Sequence, residues 1–74
     1  MEDLSHILIF KTNIKTTADK LMIEKILDTH EHIEKWNIDL HDIDCVLRIE
    51  SHTLQHHEII ELIHHHGYDC DELI

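Results

Sequence analysis

The apolar residues of this chain change their spacing at Thr16, and that change decides what the chain can fold into. From His6 to Ile14 a short apolar run, Ile7 to Phe10, passes into alternation, which predicts a central strand. Leu8, Phe10 and Thr12 then share one face, and Ile7 and Ile9 share the other. Beyond Thr16 or Thr17 the residues Met22, Ile23, Ile26, Leu27 and His30 fall on one helical face, which predicts a helix of about three to four turns. Leu21 points off that face. Thr16-x-x-Asp19 has the pattern of a capping box in shortened acidic form, with Asp19 at the positive end of the helix dipole.

The same two periods recur. Glu34 to Leu40 alternates with Trp36, Ile38 and Leu40 inward, and Cys45 to Glu50 alternates with Cys45, Leu47 and Ile49 inward. The polar His41-Asp42-Ile43-Asp44 between them reads as a hairpin loop. Leu54 to His66 is a second helix, with Thr53 as its cap and Gly67 at its stop. Ile59, Ile60, Ile63 and His66 lie on or beside its inner face, and His57, Glu61, His64 and His65 on the outer one. Tyr68 to Ile74 is a short final strand. Strand, helix, strand, strand, helix, strand predicts an α+β, ferredoxin-like βαββαβ sandwich, with two helices on one face of a four-stranded antiparallel sheet.

One Gly and no Pro leave no linker, so residues 1–74 read as a single domain. Sixteen acidic against six basic residues give a formal charge of -10, which argues against nucleic acid or an anionic membrane as partner. The ten histidines match that charge in number, so their full protonation would cancel it. Solubility is therefore expected to fall near the sequence pI of 5.3. Light scattering that stays flat from about pH 7.5 to about pH 5 would refute this. No stretch approaches transmembrane length, the Ile7 to Phe10 run is too short for a secretory signal, and two widely separated cysteines suggest reduced thiols in the cytoplasm.

Lys11-Thr12-Asn13-Ile14-Lys15, Ile33-Glu34-Lys35-Trp36, Glu58 to Ile63 and Gly67-Tyr68, in this order and spacing, resemble the heavy-metal-associated, copper-chaperone-like domains over nearly the whole chain. Members of that family carry Cys-x-x-Cys where the first strand meets the first helix, a site suited to Cu(I) or Zn(II). Here the matching positions are Thr16 and Asp19. Neither supplies a thiolate, so the resemblance implies the fold with a degenerate metal motif. Cys45 and Cys70 would sit on strands separated by the first strand, which disfavours a disulfide or a shared metal.

That fold brings Thr16 to Asp19, His41 to Asp44, and His64 to His66 to one end of the molecule. Asp19, His41, His64, His65 and His66 are therefore candidate ligands for Zn, Ni or Cu as divalent ions. The competing reading is that the histidines form ordinary solvated faces, with His30 and His66 at the edges of the core. Catalysis is not expected: there is no strained nucleophile turn or Gly-rich phosphate loop, and the core is too small to enclose a substrate. On the sheet face away from the helices, Ile7 and Ile9 neighbour Val46 and Arg48, a patch suited to a protein partner or a homodimer. The resulting expectation is a small non-enzymatic interaction or self-association module without a cofactor, with divalent-metal handling as the alternative.

Overall fold

The computed structural model describes residues 6–73. Positions 1–5 of the expected domain, and Ile74 of the expected last strand, lie outside them. The order is β1 (Ile7–Thr12), α1 (Thr17–Leu27), β2 (Lys35–Ile38), β3 (Leu47–Glu50), α2 (His56–His65) and β4 (Cys70–Glu72). All strand pairs are antiparallel, in the order β2-β3-β1-β4. This is the α+β, ferredoxin-like arrangement expected from the two apolar periods.

Register follows from which residues avoid water. Phe10 pairs with Leu47, Leu8 with Ile49 and Ile38 with Leu47, so their side chains fall on the same sheet face. With Ile23 and Leu27 of α1 and Ile59 and Ile63 of α2 they form one core. A one-residue slip of β1 would expose Phe10, which is fully buried, and bury Lys11. The indole N–H of Trp36 donates to Asp28 Oδ1 at 2.7 Å, tying β2 to the end of α1.

Several local expectations are corrected. Met22 is 55% exposed, so the buried stripe of α1 is narrower than its periodicity suggested and centres on Ile23 and Leu27. Thr53 does not cap α2. The Ser51 hydroxyl accepts from the backbone N–H groups of Thr53 and Leu54, holding them in a turn, and Gln55 becomes the N-cap. Glu58 then accepts the Gln55 backbone N–H at 3.0 Å. His66, expected beside the core, is exposed as the C-cap residue. Cys45 is buried but stands in the loop before β3, at φ 44. Only Ile38 of the β2 alternation is buried; Trp36 and Leu40 are half-buried.

The end of α2 is closed by hydrogen bonds rather than by packing. Gly67 N–H donates to the His64 carbonyl at 2.9 Å and Tyr68 N–H to the Ile63 carbonyl at 3.3 Å, the crossed pair of a Schellman motif. Gly67 has φ +89, a conformation that glycine adopts without strain. The chain reverses there and delivers Tyr68 toward the start of α1.

Candidate functional site

The β1–α1 loop is the first candidate. Thr16 is the N-cap of α1: its hydroxyl accepts from the Asp19 N–H at 3.0 Å, and Asp19 Oδ2 accepts from the N–H groups of Thr16 at 3.3 Å and Lys15 at 3.4 Å. The Tyr68 hydroxyl donates to Asp19 Oδ1 at 2.9 Å. Both carboxylate oxygens are therefore engaged within the chain. The Tyr68 hydroxyl first, and the Thr16 hydroxyl next, hold the Asp19 carboxyl below its ordinary range, and the same bond pushes the Tyr68 hydroxyl up.

Two further loops are tied to this end. Thr12 N–H donates to the Asp44 carbonyl at 2.9 Å and its hydroxyl to the Cys45 carbonyl at 2.7 Å. Asn13 accepts the Asp69 N–H at 2.8 Å and donates to the Asp69 carboxylate at 3.3 Å. Asn13, Lys15, Ile43, Asp44 and Asp69 border an open depression of about 270 Å³ that no histidine lines.

The proposed histidine ligands are not assembled there. His41 is exposed in the β2–β3 loop, its N–H held by Asp39 Oδ1 at 3.0 Å. His65 lines a different groove, with His30, Leu54 and Glu58. His66 stands edge-on to His65, ring centroids 5.4 Å apart, and His64 is exposed on α2. Among the described residues no group of three or more His, Cys, Asp and Glu side chains is placed to hold a metal ion.

A histidine–carboxylate cluster that the sequence did not single out stands at the opposite end. His6 and His52 stack with centroids 4.3 Å apart. His6 Nε2 lies 3.7 Å from Glu50, and the His52 ring and backbone N–H both contact Glu34 Oε2. The His52 hydrogen bond holds the Glu34 carboxyl below its ordinary range. The signal lay in the register: Ile7 pairs with Glu50, which sets His6 beside the β3–α2 turn.

Asp19 and Glu34 both have depressed folded-state pKa values, so each contributes stability that is present above its unfolded pKa, about 4, and lost as pH falls through the folded value. The melting temperature of the wild type is expected to fall below about pH 4, and Asp19→Asn/Glu34→Gln to lessen that fall. Calorimetric melting from neutral to acid pH measures it. Equal acid slopes in the two proteins would reject the assignment.

The second candidate is the open sheet face. Ile9 is 37% and Leu73 36% exposed, and Leu73 N–H donates to the Ile9 carbonyl at 3.0 Å, which sets β4's end beside β1. Ile9 pairs with Arg48, and Arg48 with Asn37; Ile7 pairs with Glu50, and Glu50 with Lys35. Ile7 and Val46 are half-buried and Arg48 is exposed. Ile7, Ile9 and Arg48 thus lie on one face, which Lys35, Asn37 and Leu73 extend, while Val46 precedes β3 and enters no strand pair.

The thiols lie elsewhere. Cys70 is fully buried on β4, and burial first and Asp71 second push its thiol up to about 12. Cys45 is buried and unpaired in the β2–β3 loop. No helix among the described residues is long and apolar enough to cross a membrane. No protein-family model matches the chain, and neither a curated protein nor a solved structure matches it.

Proposed function

We propose that the chain is a non-enzymatic protein-interaction module of heavy-metal-associated type, in which a helix cap stands where that family binds soft metal, and that it engages its partner through the open sheet face. The observation that carries this reading is the use of both Asp19 oxygens. One accepts the Tyr68 hydroxyl and the other two backbone N–H groups, so the carboxylate is committed to capping α1 and to Tyr68. The open face offers a second surface, with Ile9 and Leu73 exposed beside Arg48 on a sheet whose other face builds the core.

A photo-crosslinking residue placed at Asn37 tests the reading in cells, with the same residue at Lys25 on the exposed side of α1 as control. Asn37 is expected to give a discrete protein adduct, with itself or another chain, that Lys25 does not. Equal patterns at both positions would reject the open face as the contact surface. Calorimetry with Zn(II), Ni(II) and Cu(II) completes the test: affinity tighter than about 10 μM that is lost in His64→Ala/His65→Ala would replace this reading with metal handling.

A further inference from the structure

Charge is not spread evenly over this molecule. Within the four strands, the open face carries three cations, Lys11, Lys35 and Arg48, against two carboxylates, Glu50 and Asp71, whereas the whole chain has a formal charge of -10. Half of the six basic residues are on this one surface. Lys11 is opposite Asp71 in the register. Lys35 and Arg48 form no ion pair among the described residues, and Glu50, opposite Lys35 in the register, lies 3.7 Å from His6. Lys35, Asn37, Arg48 and Glu50, with Trp36, line a shallow cleft of about 210 Å³ on the β2 side of the sheet.

Apolar and cationic side chains are laid out side by side. Ile7, Ile9 and Leu73 occupy the β1–β4 half, with Lys11 opposite Asp71 at its far end, and Lys35 and Arg48 the β2–β3 half. A second copy docked by a two-fold axis meets this layout badly. On that face the mate offers only Glu50, which lies against His6, and Asp71, which is opposite Lys11, so Arg48 and Lys35 gain few carboxylates from it. A segment bearing both carboxylates and apolar side chains satisfies both halves at once.

From this layout we infer that the partner of the open face is an acidic, apolar-anchored segment of another protein, its aliphatic side chains on Ile7, Ile9 and Leu73 and its carboxylates on Arg48 and Lys35. The inference rests on the proposal that the open face is a contact surface, and narrows it to one partner chemistry. Arg48 offers a planar fork to a carboxylate, and Lys35 a second charge beside it. The rest of the chain, taken together, is strongly acidic, so charge favours this face for such a partner.

The test uses the full chain, isotope-labelled, titrated with a short capped peptide alternating glutamate with leucine. The peptide is expected to shift amide resonances of Ile7, Ile9, Asn37 and Arg48 saturably, to bind about tenfold more weakly to Arg48→Glu, and to weaken as salt is raised. A lysine–leucine counterpart and a short single-stranded DNA are expected to leave those resonances unmoved. Binding of either control at the face, shifts confined to other surfaces, or full affinity in Arg48→Glu would overturn the inference. Sedimentation separates the two levels of the proposal. A dimer that buries the face overturns the acidic-partner inference and leaves the contact surface standing, whereas a monomer whose face answers to no protein probe and gives no crosslink overturns both.

Discussion

Phe10→Ala is expected to unfold the protein or bring it close to unfolding. Phe10 is fully buried at the centre of β1, pairs with Leu47 on one side and Glu72 on the other, and its ring meets His56 of α2 edge-on with centroids 5.4 Å apart. Truncation removes the only Phe in the chain and leaves a cavity where sheet and helix meet, at a cost of about 3–5 kcal/mol. A chain of 74 residues has a total stability on the order of 4–11 kcal/mol, so the loss takes a large share of it. The melting temperature should drop by about 15–30 °C, or the cooperative transition should vanish. Phe10→Leu keeps an apolar filling and is expected to stay folded, losing roughly 1–2 kcal/mol. Melting followed by circular dichroism compares the three proteins. An alanine variant that melts within a few degrees of wild type would show that β1 is not the centre of the core.

The second large effect is a gain. Thr16→Cys/Asp19→Cys is expected to bind Cu(I) more tightly than the wild type, because the two side chains already face each other across the first turn of α1. The Thr16 hydroxyl lies 3.0 Å from the Asp19 N–H, and the Asp19 carboxylate reaches back to the Thr16 N–H. Sulfurs in those places would stand at a helix N-terminus, where backbone N–H groups favour the thiolate, and two such thiolates suit a soft monovalent ion. The same change removes the cap and the Tyr68 hydrogen bond, so the metal-free variant should be less stable than wild type and recover on loading. Competition with a coloured Cu(I) chelator measures the affinity, with Thr16→Cys alone as control. A folded double variant that cannot compete would remove the likeness to the heavy-metal-associated loop, and with it that part of the proposed function.

Much of the architecture was legible because each element carries its own period and its own stop. Alternation set β1, β2 and β3, Thr16 and Asp19 announced the start of α1, and Gly67 the end of α2. What misled was the flank of each stripe. Met22 sits next to the buried Ile23, and spacing alone leaves its side undetermined; packing exposes it. Leu54 continues the apolar rhythm of α2 backward, yet the Ser51 hydroxyl claims the backbone there and delays the helix to His56.

The candidate site divides along the same line. Ile7, Ile9 and Arg48 were placed on one face because a two-residue period fixes facing once the strand order is known. The histidines resisted because their neighbours depend on how α2 is rotated, and nothing in a run such as His64-His65-His66 says which ring turns toward Asp19. The pairing of His6 with His52, and of His52 with Glu34, spans the chain and follows from strand register that only the folded sheet supplies.

The two buried thiols give this protein an internal clock. Neither Cys45 nor Cys70 is accessible while the sheet is closed, and the Cys70 thiol stays protonated at any neutral pH. Alkylation must therefore wait for an opening, and its rate at a fixed reagent concentration reports how readily the chain around each thiol opens. Cys70 reports on the short edge strand β4 and Cys45 on the loop that hands β2 to β3. When both react at one pace the domain opens as a unit, and when Cys70 runs ahead the edge of the sheet is the first part to let go.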